Sequence, residues 1–364
     1  RGPRLSHASN GGPQGAGSRP RAGECALIPG VRRAGSRSAR GARKEIDYSP
    51  SLRRDASWVM ILPLLVCISI ASGCSRGETQ AGSQADAPPS LQFVGSWGVH
   101  GDGPGQLDKP ACIAIDALGN AYIADAGSQF IHKFDSRGTP LLSFQETFFE
   151  NPDSIAVDDG GAIYVADSVR GVVWIFLPSG ERYRPLRLPR HTGAEYPLSV
   201  TVGDDGLIDV LDTGTDKVFT YNPRLRFLHS WQPAADARDP SSHPSAIAAA
   251  SDGYFYALDP PANRILRFDS DRRLVSVIDA GAGGMGRKLS GEFAVSEGLI
   301  YAMDSNGRTL HVWTTDGKLR LDADLTAELG PGDRGAPPLA AGPRGQLLVL
   351  DAPGSRVLRY DLHF

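Results

Sequence analysis

Cysteine is scarce: Cys25, Cys67, Cys74 and Cys112 are the only four in 364 residues. Three of them fall in the first 74 residues, in segments set apart by composition, so Cys112 stands alone in the rest and a disulfide framework is excluded there. Cys112 lies in a predicted strand, where a small buried residue is the plain reading. Long apolar runs are also lacking. The stretch from Trp58 to Ile70 is too short to span a bilayer comfortably and is interrupted by Pro63. Basic charge is thin where a nucleic-acid surface would need it. Residues 1–54 carry eleven Arg and one Lys against Glu24, Glu45 and Asp47, a net +9, so a total of −3 leaves the remaining chain near −12. Phosphate backbones are bound by basic surfaces that displace counterions, so no nucleic-acid partner is expected.

What the chain has instead is glycine and proline, 43 and 27 of them, with few stretches of helical periodicity. That favours many short strands joined by turns. Four segments are expected. Residues 1–51, rich in Arg, Gly, Ser and Pro and beginning with Arg, read as disordered or translated upstream sequence. Residues 52–73 read as a secretory signal: Arg53 and Arg54, an apolar core, then small residues before Cys74. The "ASGC" that ends it resembles a bacterial lipobox, which implies lipidation of Cys74. By resemblance to envelope sorting rules, Ser75 after the cysteine implies the outer membrane. Residues 74–90 read as a polar, flexible tether, and 91–364 as the folded domain.

A repeat organises that domain. Segments such as "NAYIAD", "AIYVAD" and "YFYALD" each end in Asp, at Asp125, Asp167, Asp212, Asp259, Asp304 and Asp351, spaced 42, 45, 47, 45 and 47 residues apart. Six residues before each Asp stands a glycine: Gly119, Gly161, Gly206, Gly253, Gly298 and Gly345. Six residues after it stands an aliphatic (Ile131, Val173, Val218, Ile265, Leu310, Val357), and nine after it an aromatic (Phe134, Phe176, Tyr221, Phe268, Trp313, Tyr360). The glycine suits a turn that needs positive φ, and the Asp side chain suits capping of turn amides. Positions six and nine lie on opposite faces of a strand, and both are apolar in every unit, so both faces are buried. Sheets stacked around an axis meet that demand. The expected fold is all-β: a six-bladed propeller of four-stranded antiparallel blades. Since the sixth unit runs out after its third strand, the N-terminal "LQFVGSW" is expected to close the ring as the missing strand.

The pattern "P..IAVD..G.IYVAD....R(I/V)..(F/Y)", preceded by "G..G.GPGQL..P", resembles the NHL-repeat propellers over residues 91–364, with unit five departing at Ser290 and Glu292. That family contains many binding modules and a minority of enzymes, so the resemblance implies a fold more than an activity. It resembles the amidating lyases that hold zinc on histidines and calcium in the channel. His132, His191, His229, His243 and His311 are the candidates for such ligands, but His132 and His311 occupy a repeat position filled elsewhere by Trp174, Phe219, Leu266 and Leu358, as packing residues. Calcium-assisted ester hydrolysis would need convergent carboxylates, and Asp158, Asp159, Asp204, Asp205 and Asp252 sit where hairpin turns expect Asp. No cofactor is expected; zinc or calcium belongs to the hydrolase or lyase alternative.

Two basic segments stand out against the acidic domain. "GERYRPLRLPRHTGAEYP" holds Arg182, Arg184, Arg187, Arg190 and His191, and "DAGAGGMGRKLSG" ends in Arg287 and Lys288. Loops on a rigid scaffold carry recognition, so these residues are expected to bind a protein or an anionic envelope ligand, in a non-catalytic and monomeric protein.

Overall fold

A computed structural model describes residues 88–189, 196–235, 241–281, 287–330 and 335–364. Cys74, Arg190 and His191 lie outside them. The described chain forms six antiparallel sheets. The inner strands are Pro110–Ile115, Pro152–Val157, Pro197–Val202, Ala246–Ala249, Leu289–Ser296 and Leu339–Ala341. Each touches the next around a closed ring, the last against the first. The second strands end in the repeated Asp, for example Ala121–Asp125 and Leu299–Asp304, and the third strands follow, for example Phe130–Phe134 and Thr309–Thr314. This is a six-bladed β-propeller.

The ring closes with the first strand of the chain. Ser90–Trp97 pairs antiparallel with Arg356–His363 as the outermost strand of blade six, from Ser90 opposite His363 to Trp97 opposite Val357. Blade two differs at its outer edge. Its sheet has three strands, and residues 182–186 cover the fourth place through bridges Val173–Leu186 and Phe176–Arg182. Leu186 exchanges both backbone bonds with Val173, at 2.9 and 2.8 Å, and the Tyr183 amide donates to the Ile175 carbonyl at 2.8 Å, so the place is held without a continuous strand.

The six apolar clusters are the six interfaces between blades. The aliphatic six after each Asp packs toward the following blade and the aromatic nine after it toward the preceding one. Ile131 and Phe176 thus meet between blades one and two, and Leu310 and Tyr360 between five and six. The repeat glycines all have left-handed φ, from +70° to +83°, where a side chain would strain the turn. They define one rim of the ring. On the other rim, in blades one to four, the Asp carboxylates tie the second strand to the loop that enters the blade: Asp125 accepts from the amides of Asp108 and Lys109 at 2.6 and 2.9 Å, and Asp212 from Tyr196 at 2.7 Å, whereas Asp304 in blade five accepts from its own turn, at Arg308 and Thr309.

Candidate functional site

On the Asp rim, a polar cavity of about 530 Å³ lies at the junction of blades four and five, lined by Arg287, Lys288, Asp304, Ser305, Asn306, Thr309, His311 and Asp322. Local folding sets each of these. Asn263, at φ 53° in the turn of blade four, donates from Nδ2 to the Arg287 carbonyl at 2.7 Å and accepts from the Leu289 amide at 2.9 Å. From blade five, the Ser305 amide donates to the Lys288 carbonyl at 2.6 Å. The segment bearing Arg287 and Lys288 is thus held from both sides.

His311 and Asp322 face each other across the third and outer strands of blade five. His311 Nδ1 lies 2.7 Å from Asp322 Oδ1, and Arg287 Nη2 donates to Asp322 Oδ2 at 2.6 Å. Burial opposes ionisation of Asp322, but the hydrogen bonds from Arg287 and His311 outweigh it and hold the carboxyl below its ordinary range. The dyad fixes the imidazole through one nitrogen. Its Nε2 is buried and has no hydrogen-bond partner among the described residues. Arg287 is buried along with it, while Lys288 is exposed and has no ion-pair partner among the described residues. Asp304 is occupied by the amides of Arg308 and Thr309 at 2.8 and 3.0 Å. With Asp304 and Asp322 engaged, the cavity presents one uncommitted cation, Lys288, and the hydroxyls of Ser305 and Thr309. That donor set suits a small anion.

Of the residues singled out in the sequence, Arg287 and Lys288 line this cavity, and His311, read there as packing, joins them. The imidazole does face blade four, 5.5 Å from Trp313, but its Asp322 partner gives it a polar role. The available signal was the residue eleven positions later. In both units with His at this place that residue can hydrogen-bond: Asp322, and Ser143 for His132, whose Nδ1 lies 2.9 Å from Ser143 Oγ.

The other basic segment sits elsewhere, along the outer wall of blade two. Arg182 is locally engaged: its guanidinium bonds buried Glu146 at 3.2 Å and lies 4.8 Å over Phe148 and 5.6 Å over Trp174. Arg184 donates to the Arg224 carbonyl at 3.0 Å, and Arg187 is exposed. The structure does not bring these side chains to the cavity. The remaining described histidines do not converge either. His243 pairs with Asp216 at 2.9 Å, His229 lies in the outer strand Phe227–Trp231, and among the described residues no three His, Cys, Asp or Glu side chains form a metal-binding group. The hairpin Asp residues act in their turns: Asp158 accepts from the Ala162 amide and the Tyr164 hydroxyl at 2.8 and 3.0 Å.

Fold and rim cavity together define a six-bladed propeller with a polar pocket between two blades. Among solved structures the chain is similar to a streptogramin B lyase at 14% identity and TM-score 0.53, covering 77% of this chain and all of that one. It is also similar to virginiamycin B lyase from Staphylococcus aureus. One such structure is a catalytically inactive histidine-to-alanine form with quinupristin, at 11% identity and TM-score 0.51 over 70% of this chain and 83% of that one. A selenomethionine form matches at 14% and 0.50 over 72% and 85%. At these identities the likeness shows the fold alone. No family model matches the chain, and no curated protein does.

Proposed function

We propose that the protein is a binding propeller that captures a small carboxylate- or phosphate-bearing ligand in the cavity between blades four and five. The observation that carries this reading is the convergence there of exposed, uncommitted Lys288 with Arg287 and the hydroxyls of Ser305 and Thr309. Its setting, from the sequence, is the bacterial envelope: export, lipidation at Cys74, and a monomer held at the outer membrane. The NHL-type repeat and its loops fit that use. The experiment is a melting series of the full chain in phosphate, succinate and citrate. A ligand at a hundredfold excess over its Kd stabilises by about 2.7 kcal/mol, and Lys288→Ala removes the shift. If none of the three raises the melting temperature, the reading fails.

A second reading is supported by the His311–Asp322 pair. A histidine held by a carboxylate is the arrangement of a general base, as a hydrolase or lyase needs, and the similar structures are those of lyases. On that reading His311→Gln abolishes turnover of an anionic ester while anion binding persists.

A further inference from the structure

The channel along the propeller axis offers a second site, independent of the rim cavity. It encloses about 200 Å³ between the six inner strands. Among the described residues its lining is apolar or hydroxyl-bearing except for one ionisable side chain, Glu292. By strand register, Glu292 precedes Phe293 as Cys112 precedes Ile113, Ser154 precedes Ile155, Ser199 precedes Val200 and Ala246 precedes Ile247. Four blades place a small residue where blade five places a carboxylate. A lone charge there costs desolvation that the fold does not need.

The Glu292 carboxyl has no hydrogen-bond partner among the described residues. Burial first, then the negative charge of Asp153, push it up to about 8. Asp153, on the inner strand of blade two, is committed to the Ser168 amide at 3.0 Å and to Asn151 Nδ2 at 2.5 Å. The Cys112 thiol on blade one is raised by burial and then by Glu292. The lining residues from blades four and six, including Ala246, Ile247, Leu339 and Ala340, do not titrate. The hydroxyl oxygens are fixed in place: Ser154 accepts from the Val200 amide at 3.3 Å, Ser199 from Ile247 at 3.2 Å and Thr201 from Ala249 at 3.0 Å. Each keeps a lone pair.

We propose that the channel binds a small organic monocation, a primary alkylammonium, on the Glu292 carboxylate, with Ser154, Ser199 and Thr201 as further acceptors and the alkyl chain against Ile113 and Phe293. An ammonium has three donors, which one carboxylate and two or three hydroxyls satisfy. Calcium takes six to eight oxygens and is served by several carboxylates, which this lining does not supply. The apolar walls reward burial of carbon. At ~30 Å³ per water the volume equals about six or seven waters, room for an ammonium with a four-carbon chain.

The test is calorimetric titration of the full chain with n-butylammonium chloride between pH 6 and 9. Expected is one site whose affinity strengthens about tenfold per pH unit up to pH 8 and then levels, because the cation binds the ionised carboxylate. Glu292→Gln abolishes binding at every pH and leaves a folded protein by its melting curve. Ser199→Ala weakens binding several-fold with the same pH slope, and Lys288→Ala changes nothing. Absence of heat with the native chain, full binding by Glu292→Gln, or calcium chloride binding in place of the amine overturns the proposal.

Discussion

Asp209 on the second strand of blade three and Arg272 in the turn before the outer strand of blade four meet at 2.5 Å across the interface between their blades. Asp209 is 1% exposed, and the Thr220 hydroxyl donates to its other oxygen at 2.5 Å. The guanidinium lies 4.6 Å over Phe255 and 5.6 Å over Trp231. The pair therefore sits inside an otherwise apolar contact, where each charge depends on the other. Asp209→Ala and Arg272→Ala are each expected to cost about 3 kcal/mol, because each strands a buried charge, and the double variant costs less than their sum. Urea unfolding of the four proteins measures the cycle; strictly additive costs contradict the pairing.

Acid weakens the fold through His132. Its imidazole is fully buried between blades six and one, and burial lowers it from 6.5 to about 4, with Asp125 pulling weakly the other way. The unfolded chain takes up a proton at pH values where the folded one does not. Stability is thus unaffected above pH 6.5 and falls as pH drops from 6.5 to 4, by about 3 kcal/mol in all. His132→Phe, the residue type blade three has at this place as Phe219, is expected to flatten that slope. Denaturant melts at pH 7, 5.5 and 4 decide it: equal slopes in both proteins would show that His132 is not the group responsible.

Removing residues 90–97 opens the ring. The strand contributes its ladder with Arg356–His363 and the contact of Trp97 with Phe134, whose rings are 4.6 Å apart. Several kcal/mol of pairing and packing are lost, and a fall in melting temperature of roughly 10 °C or more follows for a domain of this size. The bared edge also invites pairing between copies, visible as larger species by light scattering. A shift under about 3 °C with a monomeric profile means that the ring does not depend on this strand.

The propeller was legible because its cause repeats. The glycines fix six turns, the Asp residues fix four loop entries and cap their own turns in blades five and six, and the apolar pair on each third strand reports a sheet buried on both faces. What escaped was set by partners far apart in the chain. Arg182 reads as a free cation until Glu146, 36 residues earlier, and the rings of Phe148 and Trp174 are brought beside it. His311 reads as packing until the strand pairing sets Asp322 opposite it. Glu292 was visible only as a departure from the repeat, and the channel lining gives that departure a meaning.

Titration of the native chain with whichever of phosphate, succinate or citrate stabilises it most, alongside Lys288→Ala and Arg184→Ala, tests the rim cavity most directly. One site per chain is expected, with at least a tenfold loss of affinity for Lys288→Ala and unchanged binding for Arg184→Ala on the outer wall of blade two. Unchanged binding by Lys288→Ala, with loss in Arg184→Ala, would contradict it and move recognition to that wall.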